Sequence, residues 1–129
     1  MDPNTRQLVL RRAGHRCEYC LLPAEMSPVA PLQVDHVRPK KHRGSDSADN
    51  LAIACIDCNL HKSSDIAGFD PATDQMTELF NPRISAWADH FERRGVLILG
   101  KTAVGRTTVE VLKLNHPDRL ELRRLTQDG

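Results

Sequence analysis

Apolar positions along this chain come in short, well-separated groups, and their spacing predicts a series of small elements. Leu8, Val9 and Leu10, followed by Arg11, Arg12 and Gly14, predict a short helix over residues 5–13, capped by Asn4 or Thr5 and stopped at the glycine. Residues 21–31 hold Pro23, Pro28 and Pro31 and read as loop, after which residues 32–37 alternate in the manner of a strand that Pro39 ends. Polar, Gly- and Ser-containing residues 40–49 predict a loop, residues 50–54 a short apolar element, and a helix begins near Asn59 and runs to about residues 66–68. The acidic stretch 65–78, with Pro71 inside it, reads as a connection over the surface. Beyond it, residues 84–93 predict a helix, 95–100 a strand and 107–114 a helix or strand. Residues 117–125 predict a terminal helix with Pro117 at its first position.

At 129 residues these elements make one domain, 1–129, and with 4% aromatic residues its core is mainly aliphatic. The longest apolar runs, 51–56 and 96–99, are too short to span a bilayer, and residues 1–10 lack a charged-then-apolar leader, so a cytoplasmic protein without membrane contact is expected. The net charge of +1 argues against a uniformly basic nucleic-acid binder, but residues 1–43, 44–82 and 83–129 carry +4, −6 and +3. Within residues 36–43, Arg38, Lys40, Lys41 and Arg43 put four fixed positive charges beside His36 and His42, either to meet phosphates or as a solvated loop.

All four cysteines fall into two pairs, Cys17 with Cys20 and Cys55 with Cys58. A two-residue gap lets both sulfurs of a turn converge on one ion, and two such knuckles supply the closed tetrahedron of thiolates that a structural zinc prefers. Disulfides are disfavoured in a chain expected to stay reduced, and a rubredoxin-like iron centre is the remaining metal alternative. The ion would tie residue 17 to residue 58 and so stabilise a small core.

The ordered set Cys17-x-x-Cys20, Val34-Asp35-His36-Val37-x-Pro39, Gly44, Asp49-Asn50-Leu51 and Cys55-x-x-Cys58-Asn59-x-x-Lys62 resembles the cysteine-bearing HNH endonucleases over residues 15–64. The resemblance implies an α+β fold: a small ββα-metal finger stapled by a four-cysteine zinc site, with an α/β extension, residues 80–129, packed on it. It implies metal-dependent hydrolysis of phosphodiester bonds in nucleic acid, with DNA the expected kind. Attack by water needs a base and a cation. By the resemblance His36 is the base, imidazole being the side chain suited to exchange a proton with water near neutrality. Asp35 and Asn59 are implied as oxygen ligands of a magnesium or manganese ion, other divalent ions such as nickel being alternatives. Asn50 would hold the loop and orient the imidazole, and Lys62 would touch a phosphate with Arg38, Lys40, Lys41 and Arg43. The chain departs from the family pattern at Asn59, often a histidine, and at Ser45, often a second glycine after Gly44; the first departure bears on metal affinity rather than mechanism.

Phe80-Asn81-Pro82-Arg83, Trp87, His90-Phe91, Gly105-Arg106-Thr107 and Leu114-Asn115 resemble an extension found in one group of bacterial HNH proteins. It reads as a stabilising layer with solvated Arg93, Arg94, Arg106, Arg123 and Arg124, or as a groove wall for nucleic acid. His116, before Pro117, reads as a helix-entry residue. Two other functions compete: a zinc-dependent nucleic-acid-binding module without catalysis, which has no need of Asp35, His36 and Asn59 in register, and an iron electron carrier, which has no use for them.

Overall fold

The computed structural model describes residues 2–27 and 29–126; the loop proline Pro28 lies outside them. Helix α1 spans Pro3–Arg12 and starts earlier than expected because its cap is Asp2, whose carboxylate accepts from the Asn4 amide at 3.1 Å, with Pro3 at the first position. Gly14, at φ 68°, turns the chain out of the helix.

Strands β1 (Gln33–His36) and β2 (Leu51–Ala54) pair antiparallel with His36 opposite Leu51. Helix α2 (Ile56–Lys62) follows directly, completing a ββα unit. It begins inside the second knuckle, three residues before the expected start, because Cys55 is its cap: the Cys55 sulfur accepts from the Cys58 amide at 3.4 Å. It ends at Ser63, φ 49°, short of residues 66–68. The outer edge of β2 is closed by side chains. Arg12 and Arg83 donate to the Leu51 carbonyl at 2.7 and 3.1 Å, and Glu18 accepts from the Ile53 amide at 2.8 Å while pairing with Arg83.

The stretch 65–78 is not a plain connection. It folds into a hairpin of β3 (Ala67–Phe69) and β4 (Met76–Glu78). Its turn is organised by buried Asp70, which accepts from the Ala72 amide at 3.0 Å and from Arg106 at 3.0 and 2.8 Å. That pairing with Arg106 holds the Asp70 carboxyl well below the usual carboxylate range.

Residues 84–93 also depart from expectation: only α3 (Trp87–His90) is helical, and β5 (Phe91–Arg94) pairs with β6 (Leu97–Gly100). Gly95, at φ 62°, begins the two-residue loop that makes this hairpin possible. The ambiguous segment 107–114 is mostly helix, α4 (Ala103–Val111), capped by Thr102, and α5 spans Pro117–Thr126. His116 does mark the entry to α5, accepting from the Asp118 amide at 3.2 Å.

The result is a small α+β fold whose three short sheets are each two-stranded. One core runs from the ββα unit into the extension: Leu51 and Ile53 are buried in the same cluster as Phe80, Phe91, Ile98, Leu112 and Leu114. Phe80 sits edge-on to Tyr19 and Phe91 at 6.3 and 5.2 Å, and the Trp87 indole donates to the Tyr19 carbonyl at 2.9 Å. The first knuckle is thereby fixed to the extension as well as to the second knuckle.

Candidate active site

The sulfurs of Cys17, Cys20, Cys55 and Cys58 all lie within 4.8 Å of one another, and all four residues are buried. A tetrahedral zinc with Zn–S bonds of about 2.3 Å places its sulfurs about 3.8 Å apart. The Cys20–Cys55 sulfur separation of 3.7 Å fits that geometry. Burial pushes the Cys17 and Cys58 thiols up, whereas hydrogen bonds within the cluster pull Cys20 well down and Cys55 down, so negative charge on the sulfurs gathers at part of the cluster. Part of the compensating charge comes from Arg119, a buried residue of α5 that sequence reasoning did not single out. Its guanidinium donates to the Cys58 sulfur at 2.8 Å and to the Leu112 carbonyl at 2.8 Å. Burial works to lower the Arg119 pKa, and the sulfurs of Cys58, Cys20 and Cys55 outweigh it and raise it. The extension is thus part of the wall around the four-cysteine centre. Sequence offered no signal for this, since Arg119 lies 61 residues from Cys58.

The ββα unit brings Asp35, His36 and Asn59 to one open cleft of about 390 Å³, lined also by Lys40 and Ser63. Asp35 and His36 are neighbours on β1 and both border this cleft, His36 partly exposed and Asp35 buried. The Asp35 carboxylate turns inward: Oδ2 accepts from the Tyr19 hydroxyl at 2.7 Å and Oδ1 from Lys62 Nζ at 3.3 Å. Burial raises the Asp35 pKa against the opposing pull of Lys62 and Tyr19. Burial and the Asp35 charge together push the Tyr19 phenol up, which keeps it a donor. Asn59 donates to the Gln33 side-chain carbonyl at 2.6 Å, and its own amide oxygen accepts no hydrogen bond among the described residues. Asp35 and Asn59 line the same cleft, and a carboxylate and an amide oxygen are the donor types a hard divalent cation takes.

Lys62 departs from the expected phosphate contact. It is 2% exposed, and its ammonium is committed to Asp35 and to the His36 and Val37 carbonyls at 3.2 and 3.5 Å. Lys62→Met is therefore expected to leave a buried carboxylate without its counter-charge and to destabilise the fold by about 3–5 kcal/mol, as measured by urea unfolding. A loss under 1 kcal/mol would mean that the pair carries little weight.

His36 is partly exposed and its Nε2 lies 2.7 Å from Asp46 Oδ1, an atom that Lys40 also approaches, at 3.2 Å. His36 and Lys40 together hold the Asp46 carboxyl below its ordinary value. Asn50 clamps the loop between the strands. Its Oδ1 accepts from the Arg38 amide at 2.9 Å, and its Nδ2 donates to the Arg38 and Ser45 carbonyls at 3.0 and 2.8 Å. Gly44 lies so close that a Cβ there would collide with the Arg38 carbonyl.

The basic run divides. Lys40 lines the His36 cleft, whereas Arg38, Lys41, His42 and Arg43 line a second cleft of about 630 Å³ together with Ile66, Leu79 and Ile84. In the extension, Arg106 is taken by Asp70 and Arg123 is buried against the Val96 and Leu114 carbonyls at 2.6 and 2.7 Å, so neither is presented as a groove wall. Arg93, Arg94 and Arg124 remain exposed.

A ββα unit enclosed by two cysteine knuckles, with aspartate, histidine and asparagine around one cleft, defines the class. Residues 17–65 match the model of the HNH endonuclease family. The Septu protein PtuB of Bacillus thuringiensis is 26% identical over 130 residues, covering 95% of this chain and 46% of that protein. The chain thus spans a little under half the length of the curated relative it matches, and the similarity runs through the extension as well as the HNH segment. No solved structure matches the chain. No helix among the described residues is long and apolar enough to cross a membrane.

Proposed function

We propose that this chain is a metal-dependent endonuclease that hydrolyses phosphodiester bonds, with DNA as its first expected substrate. The observation that carries the reading is the convergence of Asp35, His36, Asn59 and Lys40 on one open cleft of the segment that matches the HNH family. His36 accepts the proton of the attacking water. Asn50 keeps the loop on which Arg38 and Lys40 stand in one conformation, so that cationic side chains meet phosphates at a fixed distance from the imidazole. Asp35 and Asn59 would hold a magnesium or manganese ion, which supplies positive charge for the phosphate and leaving oxygen in the transition state. Tyr19 and Lys62 fix the Asp35 carboxylate from behind.

The test is digestion of plasmid, single-stranded DNA and RNA by the zinc-loaded chain with magnesium, manganese, nickel or chelator. Metal-dependent cleavage of any of these substrates supports the reading, and binding without cleavage under every condition would favour a non-catalytic binding module. The second cleft gives a separate expectation. Lys41→Ala with Arg43→Ala should weaken duplex binding and lower the slope of log affinity against log salt by about 1 per residue. An unchanged slope in a fluorescence-anisotropy titration would remove these two side chains from the phosphate contacts.

A further inference from the structure

Nothing in the motif pattern singles out Asp46, yet its carboxylate is the partner of the proposed base. Its Oδ1 is 2.7 Å from His36 Nε2 and 3.2 Å from Lys40 Nζ. The loop that delivers it is pinned on both sides: Asn50 holds the carbonyl of Ser45, the residue before Asp46, and the amide of Ser47, the residue after it, donates to Ser45 Oγ at 3.2 Å. Asn50 in turn precedes Leu51, which pairs with His36 across the hairpin. Asp46 therefore reaches the imidazole as the product of the same clamp that orders the basic loop.

An imidazole that donates from one ring nitrogen to a carboxylate has its other nitrogen left bare, and its ring plane is fixed by that bond. Resting on the reading of His36 as base, we propose that Asp46 is its positioning residue: Asp46 Oδ1 takes the Nε2–H of His36, and Nδ1 is the atom that accepts the water proton. Asn50 then acts on the imidazole through Asp46. Lys40, sharing the same oxygen, holds the carboxylate in place until a phosphate draws the ammonium away.

The experiment compares Asp46→Ala and Asp46→Glu with the parent, all zinc-loaded, by steady-state cleavage and by ¹⁵N shifts of the His36 ring, which report its tautomer. Asp46→Ala is expected to lower kcat about 10–100-fold, the usual scale for loss of a histidine's carboxylate partner, with KM within about twofold and zinc content unchanged. The ring shifts should show a single Nε2–H tautomer in the parent and a mixture in Asp46→Ala, with both properties partly restored in Asp46→Glu. Cleavage by Asp46→Ala at or above the parent rate, a change confined to KM, or ring shifts identical to the parent would each overturn the assignment. Failure of the nuclease reading is distinguishable, because it appears as absence of cleavage by the parent itself while the ring shifts still decide whether Asp46 fixes the tautomer.

Discussion

Cys58→Ser is expected to abolish the fold and not merely weaken it. Cys58 is fully buried, its sulfur is one of four converging within 4.8 Å, and it receives the Arg119 guanidinium at 2.8 Å. Structural zinc sites contribute apparent binding free energies of about 10–16 kcal/mol to folding, as large as the whole stability of an ordinary domain of about 5–15 kcal/mol. A serine there removes one thiolate and strands a buried arginine beside an incomplete tetrahedron, while the two knuckles lose the ion that joins them. Circular dichroism should show loss of the native signal, and elemental analysis should fall from one zinc per chain to none. Chelation of the parent should reproduce the loss. A folded Cys58→Ser with one tightly held zinc, or iron in the parent, would overturn the expectation.

The second large effect separates chemistry from structure. His36→Ala should retain zinc, fold and nucleic-acid affinity, because the ring lies at the rim of the cleft and the bonds it makes are to Asp46, itself an exposed loop residue. Cleavage should fall by the ~10²–10⁴-fold typical of losing a general base. The companion variant must be chosen with the structure in view. Asp35→Ala would leave Lys62 buried and unpaired, mixing a folding defect with a catalytic one. Asp35→Asn combined with Lys62→Met keeps the shape and removes both buried charges together, so the defect of this double variant should be relieved in part at high magnesium or manganese, whereas that of His36→Ala should not. Parent-rate cleavage by His36→Ala on every substrate, with contaminating nuclease excluded, would refute the proposed mechanism.

The sequence by itself determined what depends on neighbours a few residues apart. The two knuckles, the β1 strand around His36, the stop at Gly14 and the entry of α5 at His116 are all set by local turn geometry, strand periodicity and capping. The HNH motif was likewise legible because its spacing encodes one ββα unit. Only the tertiary structure decided where the charged side chains went. Lys62 and Arg106 carry the same kind of charge as Lys40, and nothing local distinguishes them. Yet Lys62 is buried on Asp35, 27 residues away, and Arg106 is paired with Asp70 across 36 residues, while Lys40 stays exposed. The hairpin at 67–78 and the first strand of the hairpin at 91–100 escaped for a related reason. Residues 91–94 carry a pattern that either a helix or a strand accepts, and pairing with β6 across Gly95 settles it. Burial and pairing energies between segments distant in sequence outweigh local propensities of a few tenths of a kcal/mol per residue, so they fixed the surroundings of Asp35, the partner of His36 and the arginine behind the cysteines.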